Sequence, residues 1–600
     1  MAGPTLNQLL LDSLRRHERP DLLWHKQAGA WRPISSGVFL RRAASLARAL
    51  EEMGLRKGDR VGLFSENRPE WHVVDLACLG LGAVTVPIYA AESVERLTYI
   101  LKHSEVRVCF LSGPEQFEKV KTAWKELPRL EKVIPFAPPA SGDERVVAWA
   151  QVVGDEIPEA QVREFEQRAR EQQPEDVATL IYTSGTTGTP KGALLTQGNF
   201  SSNVQSCLGL LGYTSDDLAM LLLPLCHIFE RTNTYVYLSQ GVAVAYGEGF
   251  EKITDNLREM RPTVMAVVPR FFEKFYARLM EVVKSAPAPR RKLFEWAVQV
   301  GREALPCRLA GKPLPAGLAV RYRLADFFIY RKVRERLGGR MRCFISGGAP
   351  LSRDLNEFFH ALGLTILEGY GLTETSPVIA VSVPGAVKLG TVGRCIPGVE
   401  VRIAPDGEIL TRGPHVMKGY FKRGEETRAA IDEEGWFHTG DVGFLDEDGF
   451  LTITDRKKDL IKTAGGKMIA PQPIENRLKA SPYIEGAVVI GDRRRYVAAL
   501  LVPNFALLER QARTQGLSFG SRSDLVVHPS IRALLEGAVE SVNRDLAQYE
   551  RIKRFAVLER EFSFSDGQLT YTQKVRRRKI EEEYRNLIEQ LYREEVASPA

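Results

Sequence analysis

The first part of the chain alternates between two hydrophobic patterns. Segments with apolar residues at helical spacing are separated by short, continuous apolar runs. The patterns predict helices over residues 39–54, 69–81 and 95–103, and strands over residues 60–65, 83–88 and 106–110. Strands that alternate with helices are typical of a parallel α/β sheet covered on both faces. Residues 138–174 are polar and weakly patterned, and we expect a connecting segment there.

The pattern becomes rich in strands from Gly390 onwards. Two β-hairpins are predicted there, around the turns Pro405-Asp406-Gly407 and Glu447-Asp448-Gly449. A dense charge run at Asp455 follows, and after it a new series of short strands and a helix begins. We therefore predict a large N-terminal α/β domain (1–454) with parallel sheets and a β-rich subdomain (about 385–454), and a smaller α+β C-terminal domain (455–600), with a hinge at Asp455.

Composition limits the class of protein. The 600 residues are 44% hydrophobic and 26% charged, as in ordinary globular domains. The net charge of +7 is small for this length and no nucleic-acid-binding motif accompanies it, so we expect no nucleic-acid partner. The seven cysteines form no Cys-x-x-Cys pair, which favours a reducing, cytoplasmic compartment over a disulfide framework or a zinc site. The longest apolar stretch, residues 77–91, is too short for a membrane span.

A segment rich in glycine and hydroxyl side chains lies between two strand-like runs, from Tyr182 to Gly192. Glycines let backbone N–H groups turn inward, Ser and Thr add donors, and a lysine adds positive charge, which together suit a polyphosphate. The segment departs from the P-loop pattern, because Pro190-Lys191-Gly192 stands where Gly-Lys-Ser/Thr is required. The alternative is a flexible linker. The candidate phosphate-binding residues are Thr183, Ser184, Gly185, Thr186, Thr187, Gly188 and Lys191.

Two further strand-like runs end in glycine-rich turns. These turns contain Gly347, Gly348 and Ala349, and Gly369, Tyr370, Gly371 and Thr373. Ligands of open α/β sheets bind where loops leave the carboxyl ends of strands, so we expect both turns to border one crevice with the phosphate segment. Glu374 offers a hard oxygen ligand for Mg²⁺, and Tyr370 could stack on a purine. A simple turn is the alternative for the Gly369-Tyr370-Gly371 stretch taken alone.

Other candidate residues have weaker support. Asp441 lies between the two predicted hairpins and could accept hydrogen bonds from both hydroxyls of a ribose. His227 follows an apolar run, where a histidine is more often a core residue than a catalytic one. Residues 284–342 are basic, with interleaved aromatic side chains. A solvated helical surface and peripheral contact with an anionic membrane both remain open for that segment.

The ordered motifs together resemble the acyl-adenylate-forming (AMP-binding) superfamily, over nearly the full chain. The segments that carry the resemblance are 182–193, 224–231, 347–350, 369–375, 439–441, 455–467 and 569–574. Phe229-Glu230-Arg231-Thr232, the basic segment before Cys343 and the Asp455 run resemble its long-chain fatty acid–CoA ligase branch. Tyr571 stands where members of the family commonly have Pro, and Gln573 where Leu or Met is usual, on either side of residue 572 and next to Lys574.

The resemblance implies a two-step reaction with ATP, Mg²⁺ and coenzyme A. A fatty acid is first activated as an acyl-adenylate and then transferred to CoA. Lys574 would act beside the attacking carboxylate, Thr183 and Glu374 would hold Mg²⁺, and His227 would lie beside the acyl group. Asp441 and Arg456 would hold the ribose, and Tyr370 with residues 347–349 the adenine. A mobile C-terminal domain would then turn at Asp455 and bring the face with Lys462 and Gly465 to the site.

Two other functions remain open at this point. A fatty acyl-AMP ligase would pass the acyl group to a carrier protein, although no inserted segment follows Leu460. A nucleotide-binding scaffold would keep the fold without turnover. The presence of Lys191, Glu374, Asp441, Arg456 and Lys574 together argues against the scaffold, which has no need of all five.

Overall fold

The computed structural model describes residues 3–137, 143–183, 189–563, 566–569 and 575–593. Helices alternate with strands through most of the chain. The helices before residue 455 are α1 (Leu6–Arg16), α2 (Ser36–Glu52), α3 (Pro69–Leu81), α4 (Val94–Ser104), α5 (Pro114–Ala123), α6 (Trp149–Val152), α7 (Glu159–Glu171), α8 (Gln197–Cys207), α9 (Ile228–Ser239), α10 (Ile253–Met260), α11 (Pro269–Ser285), α12 (Ala288–Leu309), α13 (Ala316–Ala325), α14 (Arg331–Arg336), α15 (Arg353–Ala361) and α16 (Gly424–Ala430).

The strands of the same part form three sheets. They are β1 (Leu23–Gln27), β2 (Ala30–Ile34), β3 (Arg60–Phe64), β4 (Val84–Ile88), β5 (Val108–Leu111), β6 (Lys132–Pro135), β7 (Val177–Thr183), β8 (Lys191–Thr196), β9 (Leu218–Leu221), β10 (Ala243–Tyr246), β11 (Val264–Val267), β12 (Cys343–Ser346), β13 (Ile366–Gly371), β14 (Val378–Val381), β15 (Arg394–Cys395), β16 (Glu400–Ile403), β17 (Glu408–Arg412), β18 (Gly419–Tyr420), β19 (Phe437–Leu445) and β20 (Leu451–Arg456).

Two of these sheets are largely parallel and covered by helices. The nine-stranded sheet has the order β15-β14-β13-β12-β11-β9-β10-β1-β2, and the seven-stranded sheet has the order β18-β8-β7-β4-β3-β5-β6. In the order just given, all neighbouring strands between β13 and β1 of the first sheet are parallel. The same is true of all neighbouring strands between β7 and β6 of the second sheet. Their buried, nearly continuous apolar runs are those expected of strands with both faces covered.

The third sheet contains both predicted hairpins. Its order is β16-β17-β19-β20, and the pairs β16–β17 and β19–β20 are antiparallel across the two predicted turns. The β19–β20 hairpin pairs Asp441 with Arg456, which places these two candidate residues side by side.

The last part of the chain has its own apolar core. Its elements are β21 (Ile461–Lys462), β22 (Met468–Ile469), α17 (Pro471–Lys479), β23 (Ile484–Ile490), β24 (Val497–Pro503), α18 (Phe505–Thr514), α19 (Arg522–Val527), α20 (Pro529–Asn543), β25 (Ile552–Val557), α21 (Arg577–Glu583) and α22 (Arg585–Tyr592). Helices pack on the sheet β23-β24-β25 and bury Leu478, Leu501 and Leu535 completely. The predicted fold class, a large α/β part with parallel sheets and a smaller α+β part, is confirmed.

The weakly patterned connector contains a helix that the sequence analysis missed. Helix α7 packs on α2 and α3 and buries Val162, Phe165 and Ala169, a narrow apolar stripe among charged residues. Phe165 approaches α3 so closely that a Cβ on Gly80 would lie 2.3 Å from its ring. No helix was predicted within this connecting segment, because three buried apolar residues in a helix of thirteen give a faint periodic signal.

Candidate active site

A cavity of about 680 Å³ opens where the carboxyl ends of the parallel strands of both large sheets meet. Its wall combines residues from the two sheets with Arg456, Lys457 and Lys458, which follow Asp455, and Arg576 from the C-terminal part. Strand β7 ends at this wall with Thr183 and β13 with Gly371. The crevice expected from the sequence is therefore present as one continuous space.

Most of the candidate residues that the structure describes line this cavity. They are Thr183, Lys191, His227, Gly347, Gly348, Gly369, Tyr370, Gly371, Thr373, Glu374 and Arg456. Ser184, Gly185, Thr186, Thr187, Gly188 and Lys574 lie outside the described residues. The roles assigned to all of these residues stay predictions, but the described ones do share one site.

Four candidate residues do not line the cavity. Asp441 lies directly behind the wall, and Ala349 follows the glycine turn without facing the space. Lys462 and Gly465 are exposed on the small ribbon that contains β21 and β22, away from the cavity. The residues expected to hold the ribose and the phosphates therefore lie apart from Lys462 and Gly465, the residues expected to face CoA.

Tyr370, Asp441 and Arg456 are joined by one hydrogen bond and one ion pair at one end of the cavity. Tyr370 donates from Oη to Asp441 Oδ2 at 2.8 Å, and Arg456 Nε lies 3.2 Å from Asp441 Oδ1. Burial raises the pKa of the Tyr370 phenol well above its ordinary value, so it stays protonated and remains a donor. The set presents an aromatic face and a guanidinium, groups that suit a nucleoside.

Lys191 and Glu374 lie at the phosphate end, and Tyr420 connects them. Tyr420 donates from Oη to Glu374 Oε1 at 2.9 Å, and Lys191 Nζ lies 5.3 Å from the centre of the Tyr420 ring. The sequence analysis missed Tyr420. It belongs to a strand of two residues, which leaves no periodic signal.

Another part of the cavity wall, which we call the apolar end, is apolar and was not located from the sequence. Its side chains come from several separate elements and share no motif. They include Ile181, Cys207, Leu210, Leu211, Ile228, Val236, Val378 and Val381. His227 also lines the wall, immediately before α9. This end can hold a hydrocarbon chain next to the polar end.

A buried ion pair and its hydrogen bonds fix α9 against the seven-stranded sheet. Arg231 is fully buried, pairs with Asp75 of α3, and donates to Thr179 Oγ1 of β7 and Thr85 Oγ1 of β4, each at 2.8 Å. Its donors are thus satisfied, as a buried guanidinium requires. Arg231 links the helix that follows His227 to the strand that ends at Thr183.

Glu368, immediately before the Gly369 turn, gives a prediction about pH. Glu368 is 8% exposed, its carboxyl accepts from Asn356 Nδ2 at 2.7 Å, and burial raises the pKa of this carboxyl to about 7. The folded state therefore holds a proton that the unfolded state releases above its ordinary pKa of about 4.3. Stability should fall as pH rises from about 4.3 to about 7, and then level off.

Replacing Glu368 removes this contribution. We expect the melting temperature of Glu368→Gln, relative to the parent protein, to be higher at pH 8 than at pH 5, by a few degrees. Thermal unfolding across this range checks the prediction, with the exposed Glu447→Gln as the matched control. Parallel profiles for Glu368→Gln and the parent would contradict the assignment.

The fold is that of an α/β protein, and its cavity combines a polar end that suits a nucleotide with an apolar end that suits a hydrocarbon chain. The chain belongs to the family of AMP-binding enzymes. The family model matches residues 14–421, and the model of the C-terminal domain of AMP-binding enzymes matches residues 458–596.

Curated relatives are similar over almost the whole chain. The chain is 37% identical to the long-chain-fatty-acid–CoA ligase FadD15 of Mycobacterium tuberculosis, over 96% of each protein. It is 33% identical to the peroxisomal long chain acyl-CoA synthetase 6 of Arabidopsis thaliana, over 95% of this chain and 83% of that protein. The long-chain branch expected from the sequence is thereby confirmed.

Solved structures agree with the fold. The anthranilate CoA ligase AuaEII, in complex with anthranoyl-AMP, has a TM-score of 0.72 at 19% identity, over 97% of this chain and 98% of that chain. The adenylation domain of a carboxylate reductase from Mycobacterium chelonae has a TM-score of 0.75 at 23% identity, over 99% and 92% of the two chains. At these identities the similarity concerns the fold alone.

Proposed function

We propose that this chain is a long-chain fatty acid–CoA ligase that forms AMP. A carboxylate oxygen of the fatty acid bonds to the α-phosphorus of ATP, and pyrophosphate leaves. The sulfur of CoA then bonds to the acyl carbon of the adenylate, AMP leaves, and the thiol proton is released. The observation that carries this proposal is the single cavity with a nucleotide end and an apolar end. The alternatives, a fatty acyl-AMP ligase or a scaffold, are not favoured by the relatives.

The phosphate end fits a magnesium ion that is held partly by the substrate. Mg²⁺ is usually bound in proteins by one or two carboxylates together with phosphate oxygens. Glu374 supplies a carboxylate at the wall and Thr183 a hydroxyl, and no cluster of three metal-binding side chains occurs in the described part of the chain. The ion would neutralise phosphate charge as pyrophosphate departs. Lys191 would bind the phosphates that leave.

The remaining roles follow the geometry of the polar end. Arg456 and Asp441 would hold the ribose, and Tyr370 with Gly347, Gly348 and Ala349 the adenine. His227, at the border with the apolar end, would lie beside the acyl group. Lys574 would stabilise the attacking carboxylate, and Arg576, two residues further on, reaches the same wall.

The C-terminal domain would change position between the two steps, about a hinge at Asp455. Three features support this proposal. The two family models meet between residues 421 and 458. Away from the segment around Asp455, the ion pairs that join the proposed domains in the described part of the chain include Arg270–Glu485, Lys479–Glu273 and Arg510–Glu281, and all six side chains are partly exposed. The face with Lys462 and Gly465 lies away from the cavity. A rotation of the C-terminal domain would bring this face to the thiol of CoA.

Pyrophosphate release tests the proposed function directly. The assay uses fatty acids of increasing chain length, with and without CoA. A long-chain fatty acid–CoA ligase should show turnover that depends on CoA and yields acyl-CoA, with the highest kcat/KM for long chains. Stoichiometric release that CoA does not accelerate would indicate an acyl-AMP ligase, and absence of release with every acid would indicate a scaffold.

We further propose that the basic segment 284–342 contacts anionic membranes. Val320, Leu324, Phe327 and Phe328 are 58%, 47%, 64% and 41% exposed. Their spacing of four, seven and eight residues from Val320 places them on one face of α13 and the following π-helical turn, Asp326–Tyr330. Exposed Arg323 and Lys332 flank this face. An apolar face with a basic border is typical of an interfacial helix. In the described part of the chain, every helix is too short or too polar to cross a membrane.

Co-sedimentation with vesicles tests the membrane contact. We expect Leu324→Ser/Phe327→Ser to weaken binding to vesicles rich in phosphatidylserine about tenfold or more, because two exposed apolar side chains are lost. Phe444→Ser, which changes a 50% exposed phenylalanine elsewhere, is the matched control. Parent binding should also weaken as salt rises. If the parent shows no binding at any salt concentration, the segment is a solvated surface.

A further inference from the structure

Strand β18 joins the two large sheets at the phosphate end of the cavity. It pairs with β8, so that Tyr420 lies opposite Ala193. Just before β18, the N–H of Met417 donates to the backbone C=O of Glu374 at 2.8 Å. Lys191 belongs to the seven-stranded sheet, whereas Glu374 follows β13 of the nine-stranded sheet. The short β18 segment therefore contacts both halves of the proposed phosphate site.

The side chain of Tyr420 repeats this connection inside the cavity. Its hydroxyl donates to one oxygen of Glu374 at 2.9 Å, and Lys191 Nζ lies 5.3 Å from the ring centre. A hydroxyl donor on Oε1 limits rotation of the carboxylate and leaves Oε2 to a metal ion. The face of the Tyr420 ring attracts the ammonium group of Lys191. One side chain thus orients an anion and a cation that act on the same substrate.

We propose that Tyr420 is a positioning residue, which holds Glu374 and Lys191 in a fixed relation so that both engage one magnesium–polyphosphate group. The inference rests on the proposed function, because it needs ATP and Mg²⁺ at this end of the cavity. Tyr420 acts through its two neighbours and takes no part in bond formation. Groups that hydrogen-bond to a metal ligand commonly change metal affinity by about 10- to 100-fold when they are removed.

Two substitutions separate the two contacts. Tyr420→Phe keeps the ring beside Lys191 and removes the hydroxyl from Glu374. We expect the Mg²⁺ concentration for half-maximal pyrophosphate exchange to rise about tenfold, with little change in ATP binding measured without metal. Tyr420→Leu removes both contacts, and we expect it also to weaken metal-free ATP binding about threefold.

Conversion of supplied acyl-AMP and CoA to acyl-CoA is the internal control, because this step involves neither pyrophosphate nor the metal. Both variants should retain it, which shows that they are folded, and Tyr483→Phe should match the parent in every assay. An unchanged Mg²⁺ requirement in Tyr420→Phe would overturn the positioning role while leaving the proposed function intact. Absence of pyrophosphate exchange in the parent would instead overturn the proposed function.

Discussion

Glu374→Gln should slow acyl-adenylate formation by about a hundredfold to a thousandfold, the effect typical of removing one group that stabilises transition-state charge. Glutamine has nearly the shape of glutamate, and its carbonyl oxygen can still accept the hydrogen bond from Tyr420. The substitution therefore removes the negative charge while the packing of the cavity wall is retained. The charge matters because Mg²⁺ prefers anionic oxygen ligands.

Pyrophosphate exchange during a titration with Mg²⁺ measures this effect. The variant should need more Mg²⁺ and should stay slow even at saturation, whereas its conversion of supplied acyl-AMP should match the parent. Glu447→Gln, on an exposed turn, is the matched control and should behave as the parent does. A variant with full adenylation activity would show that Glu374 does not hold the metal.

The polar end of the site could be predicted from the sequence because its chemistry depends on local backbone. Gly348 illustrates the reason. Its φ of +78° is a backbone conformation that side chains rarely adopt, so the turn requires glycine whatever lies in the distant sequence. A glycine-rich segment directly after a strand can be recognised in the sequence, and Lys191 and Glu374 lie within or next to such segments.

The apolar end and the connections between the sheets could not be predicted in this way. Tyr420 is 46 residues beyond Glu374, and their contact exists because β18 pairs with β8. Arg231 lies on a helix whose sequence gives no sign that Asp75 and two threonines of other elements surround it. Contacts of this kind depend on topology, which local periodicity does not encode.

Lys574→Ala should abolish adenylate formation and spare thioester formation from supplied acyl-AMP. In the first step two anions, the carboxylate and the α-phosphate, must approach each other, and a cation near them offsets their repulsion. In the second step the nucleophile is a thiol and the electrophile an activated acyl group, so the same cation is not needed. The distinguishing result is a much larger fall in the rate of adenylate formation than in the rate of thioester formation.

Single-turnover measurements of each half-reaction test this division of labour. The rate of adenylation by Lys574→Ala should fall about a thousandfold, the upper end of the range for removing one group that stabilises charge in the transition state. The rate of the thioester step should stay close to that of the parent. Lys579→Ala, an exposed lysine of α21, controls for the general loss of positive charge in this segment. Equal losses in both half-reactions would refute the division, because a lysine needed throughout would be structural or would serve both steps. A selective loss would place the C-terminal domain at the cavity during adenylation, as the presence of Arg576 in the wall leads us to expect.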